Sequence, residues 1–85
     1  MDRIKQFKQI MEKSNTNRVI ILTNNYQIIG NVYECSECNK EDYVNLTDAT
    51  VCNIQDTYEG ICESESKFDW LHINIDKIVA YSFIW

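Results

Sequence analysis

The chain has 85 residues, 45% of them hydrophobic and 25% charged, which describes one globular domain with a small core. Eight Lys and Arg stand against thirteen Asp and Glu, a net charge of −5, so duplex DNA gripped through a broad basic face is excluded as a partner. The N-terminus is charged and no segment approaches the ~20 apolar residues of a membrane span. The sequence therefore predicts a cytoplasmic protein with reduced cysteines and no membrane partner.

Residues 2–14 predict an amphipathic helix. Ile4, Phe7, Ile10 and Met11 recur at helical spacing, Asp2 favours the helix N-terminus, and Lys5, Lys8, Glu12 and Lys13 cover the other faces. The apolar stripe is expected to pack over an open end of the remaining structure. Strands follow. An apolar run over residues 19–22 ends at Asn24-Asn25, which reads as a turn. Residues 26–35 alternate, with Tyr26, Ile28, Gly30 and Val32 on one face. A mid-strand glycine marks a bend, a bulge or the close approach of another backbone. In the third strand Val44 and Leu46 alternate with Asn45 and Thr47, and past Asp48 the apolar pair becomes Ala49 and Val51. Such a phase slip predicts a bulge.

Residues 56–67 are polar and acidic, and Ile61-Cys62 is expected to be at most a short paired segment. Phe68, Trp70, Leu71, Ile73 and Ile75 form a fourth strand in which Trp70 breaks strict alternation. Asp76-Lys77 is a tight connection, and residues 78–85 form a fifth strand with two largely apolar faces. One face fills the interior; the helix or another subunit must cover the other. The expected fold is mostly β: an N-terminal helix, then a five-stranded, strongly bent antiparallel small barrel over residues 18–85. A homo-oligomer is expected, with Tyr81, Phe83 and Trp85 of the terminal strand at its interface.

This pattern resembles the Sm and Sm-like family. Ile29-Gly30-Asn31-Val32 looks like its glycine-bearing second strand. Val44-Asn45-Leu46-Thr47-Asp48-Ala49 resembles its Leu-x-Leu-x-Asp-Ala strand. Ile73-Asn74-Ile75-Asp76-Lys77-Ile78 occupies the place of its second signature. The resemblance implies a ring-forming tendency and binding of RNA. The chain departs from the family's RNA pocket: the pocket Asn position falls on Tyr43, no matching Asp precedes it, and Asn74-Ile75 replaces Arg-Gly. Fold and assembly therefore carry over better than uridine recognition.

Cys35 and Cys38 form a C-x-x-C at a polar turn, a spacing that suits zinc. A complete site would need two more ligands from Cys52, Cys62 and His72, and Cys52 lies far along the third strand from that turn. Cys35 and Cys38 are weak metal candidates, and the expectation is no cofactor. His72 falls on the polar phase of its strand, and the acids Glu34, Glu37, Glu41 and Asp42 cluster at a turn without a positioned partner. No phosphate-binding glycine loop or nucleophile motif is present, so the chain is not expected to be an enzyme.

Two functions follow. The first is a non-enzymatic oligomer that binds RNA or a small nucleotide between subunits or in a central opening, in the manner of a nucleotide sponge. Tyr26, Tyr33 and Tyr43 would stack on bases, Asn45 would bond the ligand, and Arg18, Lys40 and Lys77 would meet phosphates. The second is a protein–protein module or inhibitor that uses the apolar final strand and the acidic 56–67 segment.

Overall fold

A computed structural model describes residues 3–34, 42–54 and 65–85, and by backbone alone 57–58 and 61–62. One helix, α1 (Arg3–Ser14), precedes strands β1 (Arg18–Leu22), β2 (Tyr26–Val32), β3 (Tyr43–Asn53), β4 (Thr57–Tyr58), β5 (Ile61–Cys62), β6 (Glu65–Asn74) and β7 (Ala80–Phe83). A 3-10 turn over Ile75–Lys77 joins the last two strands. The main sheet is antiparallel, in the order β6-β3-β2-β1-β7, and β4 pairs with β5 as a separate hairpin.

Helix α1 ends where Asn15 takes a left-handed conformation (φ 54°) and its N–H donates to Glu12 O at 3.3 Å. Asn is among the residues that tolerate this backbone at a helix C-terminus. The helix buries Phe7 completely and Ile4 and Met11 in part, while Ile10 is exposed. The stripe is thus narrower than its spacing suggested. Residues 4, 7 and 11 centre on one line down the helix, and Ile10 sits on its flank. Arg3 ties the helix start to the far end of the chain, donating to Ile78 O at 3.2 Å.

The buried face of the sheet carries Val19, Ile21, Ile28, Val32, Val44, Leu46, Ala49, Ile73 and Phe83, with Ile75 and Ile78 from the turn. Alternation along β1 and β2 follows from this, since every second residue is buried. The phase slip at Asp48 is a bulge. The β2–β3 register shifts between Ile29 and Asn31, and Asp48 has φ 51°. Gly30 lies opposite this bulge, where a side chain would be tightly packed. A Cβ at Gly30 would stand 3.3 Å from Ala49 Cα, Ala49 Cβ and Leu46 Cβ. Gly30→Val is expected to cost about 1–3 kcal/mol through overpacking, read as a lower urea midpoint at unchanged slope.

Three expectations are corrected. The sheet is not a closed barrel: among the described residues no ladder joins β6 to β7, which are its two edges. The chain spends Ile75–Lys77 on a turn capped by Asn74, whose Oδ1 accepts from Asp76 N–H at 2.9 Å. β7 then pairs with β1 alone, and Phe7 of the helix packs on Tyr81 and Phe83 with ring centroids 4.7 and 5.0 Å away. The fourth strand begins at Glu65 rather than Phe68, because the β3–β6 ladder continues to the pair Cys52–Glu65. Finally, Cys52 is disulfide-bonded rather than reduced.

Candidate functional site

The outward face of the sheet collects a cluster of aromatic and hydrogen-bonding side chains. Val44, Leu46 and Ile73 point inward, so alternation turns Tyr43, Asn45 and Thr47 of β3 and Trp70 and His72 of β6 outward. The ladder sets Asn45 opposite His72 and Thr47 opposite Trp70. On the other side of β3, Asn31 pairs with Thr47, and Tyr33 extends β2 by donating its N–H to Asn45 O at 2.9 Å. Beyond Asn31 lies Arg18 of β1. Strands β1, β2, β3 and β6 thus each contribute to one surface.

Its centre is the pair Tyr33 and Trp70. The rings meet edge to face, with centroids 5.0 Å apart and planes at 89°. This is a favoured geometry for aromatic pairs. Yet Tyr33 stays 43% and Trp70 54% exposed, so much of both rings is open to solvent. Beside them His72 Nδ1 lies 2.6 Å from Asn45 Oδ1. A carbonyl oxygen can only accept, so with Oδ1 as the partner the histidine is the tautomer that donates from Nδ1. At the edge Arg18 Nη1 donates to Asn31 Oδ1 at 3.3 Å, which holds the guanidinium over the sheet. The arrangement can stack against a flat ring, exchange hydrogen bonds with its edge, and offer one positive charge nearby.

Of the residues singled out from sequence, Arg18, Tyr33, Tyr43 and Asn45 share this face. Tyr26 does not. It is exposed, but it stands at the start of β2 in phase with inward-facing Ile28, opposite Asn53. Lys77 lies in the 3-10 turn that follows β6 and not in any of the strands that form this face. Lys40, Cys35 and Cys38 lie outside the described residues. Cys52, engaged in a disulfide, has no thiolate to offer a metal. Of the other two candidate ligands, His72 is paired with Asn45 and the Cys62 side chain lies outside the described residues. At the supposed oligomer interface Phe83 is buried beneath the helix and Tyr81 is partly buried against Phe7, leaving Trp85 88% exposed. The helix therefore packs on the interior face of β7, and the other face, with Ala80 and Ser82, stays exposed, so the cover expected there is not found among the described residues.

Trp70 is not placed on this face by sequence reasoning, which singles out His72 only as a candidate metal ligand. The signal was present in Leu71 and Ile73, whose inward phase turns 70 and 72 outward. No helix among the described residues is long and apolar enough to cross a membrane. No protein-family model matches the chain, and no curated protein is similar to it.

Proposed function

We propose that this chain is a non-enzymatic, Sm-like domain that binds RNA or a small nucleotide by stacking bases on the outward face of β2, β3 and β6. The observation that carries this reading is the half-exposed Tyr33–Trp70 pair set beside the His72–Asn45 pair. Stacking on aromatic rings tolerates any base and needs little positive charge, which suits a chain with a net charge of −5. Support for the Sm-like reading comes from the helix followed by a bent five-stranded sheet, with Gly30 packed on the Leu46–Ala49 segment. Assembly into a homo-oligomer belongs to the same proposal. The outer edges of β6 and β7, unpaired among the described residues, support it.

A cytoplasmic setting is the natural one for an RNA ligand. The disulfide at Cys52 counts against it, because cytosolic thiols are held reduced. A second reading, a protein-binding module, is favoured by the exposed Trp85 and Val79 at the terminal strand, 88% and 66% accessible.

Native mass spectrometry of the protein purified in a volatile neutral buffer tests the first reading. A closed oligomer carrying extra mass equal to nucleotides is the expected result. A bare monomer that also fails to bind a labelled short oligonucleotide would overturn it, and the protein-binding module would take its place.

A further inference from the structure

We infer that the residue bonded to Cys52 is Cys62, and that this bridge fastens the β4–β5 hairpin to the end of β3. Cys52 is buried, disulfide-bonded and the last but one residue of β3. Three other cysteines exist in the chain, Cys35, Cys38 and Cys62, and a disulfide requires Cα atoms within roughly 7 Å.

Strand register separates them. Tyr33 is bonded to Asn45, and Asn45 lies seven residues along β3 from Cys52, roughly 23 Å at 3.3 Å per residue. Cys35 follows Tyr33 by two residues, a reach of about 7 Å, which leaves it some 16 Å short. Cys38 precedes Asp42 by four residues. Asp42 O is held by Ile75 N–H at 2.8 Å, beyond the far end of β3 from Cys52. Cys62 stands elsewhere. Cys52 pairs directly with Glu65, and Cys62 precedes Glu65 by three residues, within about 10 Å of chain. Its backbone pairs with Thr57, four residues after Asn53, in a hairpin that leaves and rejoins the sheet beside Cys52.

The bridge also gives the hairpin a reason to hold. Two strands of two residues each have too few hydrogen bonds for independent stability in water. Closing the loop from Cys52 to Cys62 restricts the same ten-residue excursion in the unfolded chain. Formation is an ordinary exchange. The Cys52 and Cys62 thiols lose two protons and reduce one external disulfide, of a small molecule or a protein oxidant, to two thiols as the intramolecular S–S bond forms.

Trypsin provides a direct test, because cleavage after Arg18, Lys40 and Lys67 places Cys35 and Cys38 in one peptide and Cys52 and Cys62 in the next. Protein expressed in an oxidising compartment is quenched in acid, alkylated without reductant and digested. Peptide 41–67 is expected unalkylated and lighter by two hydrogens than its reduced form. A crosslink between peptides 19–40 and 41–67, or alkylation of both thiols in 41–67, would overturn the assignment. Cys62→Ser is expected to leave Cys52 open to alkylation once the protein is unfolded in denaturant without reductant, since the thiol is buried in the folded chain; a Cys52 that stays protected there by a bond to Cys35 or Cys38 would overturn it equally. Under reductant, amide exchange is expected to quicken at 57–62 while β1 and β2 keep their protection. Uniform quickening would refute the local role of the bridge.

Discussion

Phe7→Ala is expected to lower the unfolding free energy by about 3–5 kcal/mol, the usual cost of truncating a fully buried phenylalanine. Phe7 is 1% exposed and is the one fully buried residue of the helix. Its ring packs on Tyr81 at 4.7 Å and Phe83 at 5.0 Å between centroids. Because the sheet is open, this ring seals what strand pairing leaves unsealed. A domain of this size has about 5–15 kcal/mol in total, so the variant loses a large share of it and is expected to unfold at a far lower urea concentration. Ile10→Ala is the control. It removes an exposed side chain from the same helix and should stay within about 0.5 kcal/mol of the parent. Equal small effects from both variants would show that helix docking contributes little and that the sheet holds itself together.

The same residues mark how far the sequence could be read. Local patterns were legible because they report one strand at a time. The slip from Val44 and Leu46 to Ala49 and Val51 announced the bulge that appears at Asp48, and Gly30 announced the close approach that Leu46 and Ala49 make to it. The 3.6-residue stripe placed Phe7 on the core. Closure was not legible. Five curved strands can end in a barrel or an open sheet, and the difference lies in whether β6 and β7 find each other after a three-residue turn. The face around Trp70 was only half legible for a related reason. Tyr33 and Trp70 are distant in sequence, and their contact depends on two successive registers, β2 on β3 and β3 on β6. Single-strand alternation gave Tyr33, Tyr43 and Asn45 their phase, but it could not say that β6 would lie beside them. Tyr26 shows the converse, an aromatic chosen by type whose phase sets it apart from the Tyr33 and Trp70 face. The redox state of Cys52 was not legible because the charged N-terminus suggested a reducing compartment, whereas Cys52 lies beside a hairpin that carries another cysteine.

Trp70→Ala is expected to weaken binding of a short single-stranded oligonucleotide by about 5- to 150-fold, the range of one lost aromatic–base stack of roughly 1–3 kcal/mol. Trp70 is 54% exposed and offers the largest open ring of the cluster. Its removal leaves the core cluster intact, so thermal unfolding should change far less than binding does. Tyr33→Ala should behave in the same way. The double variant should lose less than the sum of the two, because the rings touch at 5.0 Å and each orients the other. Tyr26→Ala, off the face, should bind as the parent does. The salt dependence supplies a separate test of mechanism. Binding by stacking with Arg18 as a nearby cation predicts a shallow fall in affinity with salt, since few counterions are released. A steep salt slope with unchanged affinity for Trp70→Ala would move the ligand to the lysines of the helix. Should Tyr26→Ala weaken binding while Trp70→Ala does not, the ligand lies at the other end of β2. Loss of a protein partner on Trp85→Ala, with no oligonucleotide bound by any variant, would instead assign the chain to protein recognition. Trp70 in the cluster and Tyr26 outside it share exposure and chemistry type but differ in their neighbours, so the contrast between the two variants locates the ligand.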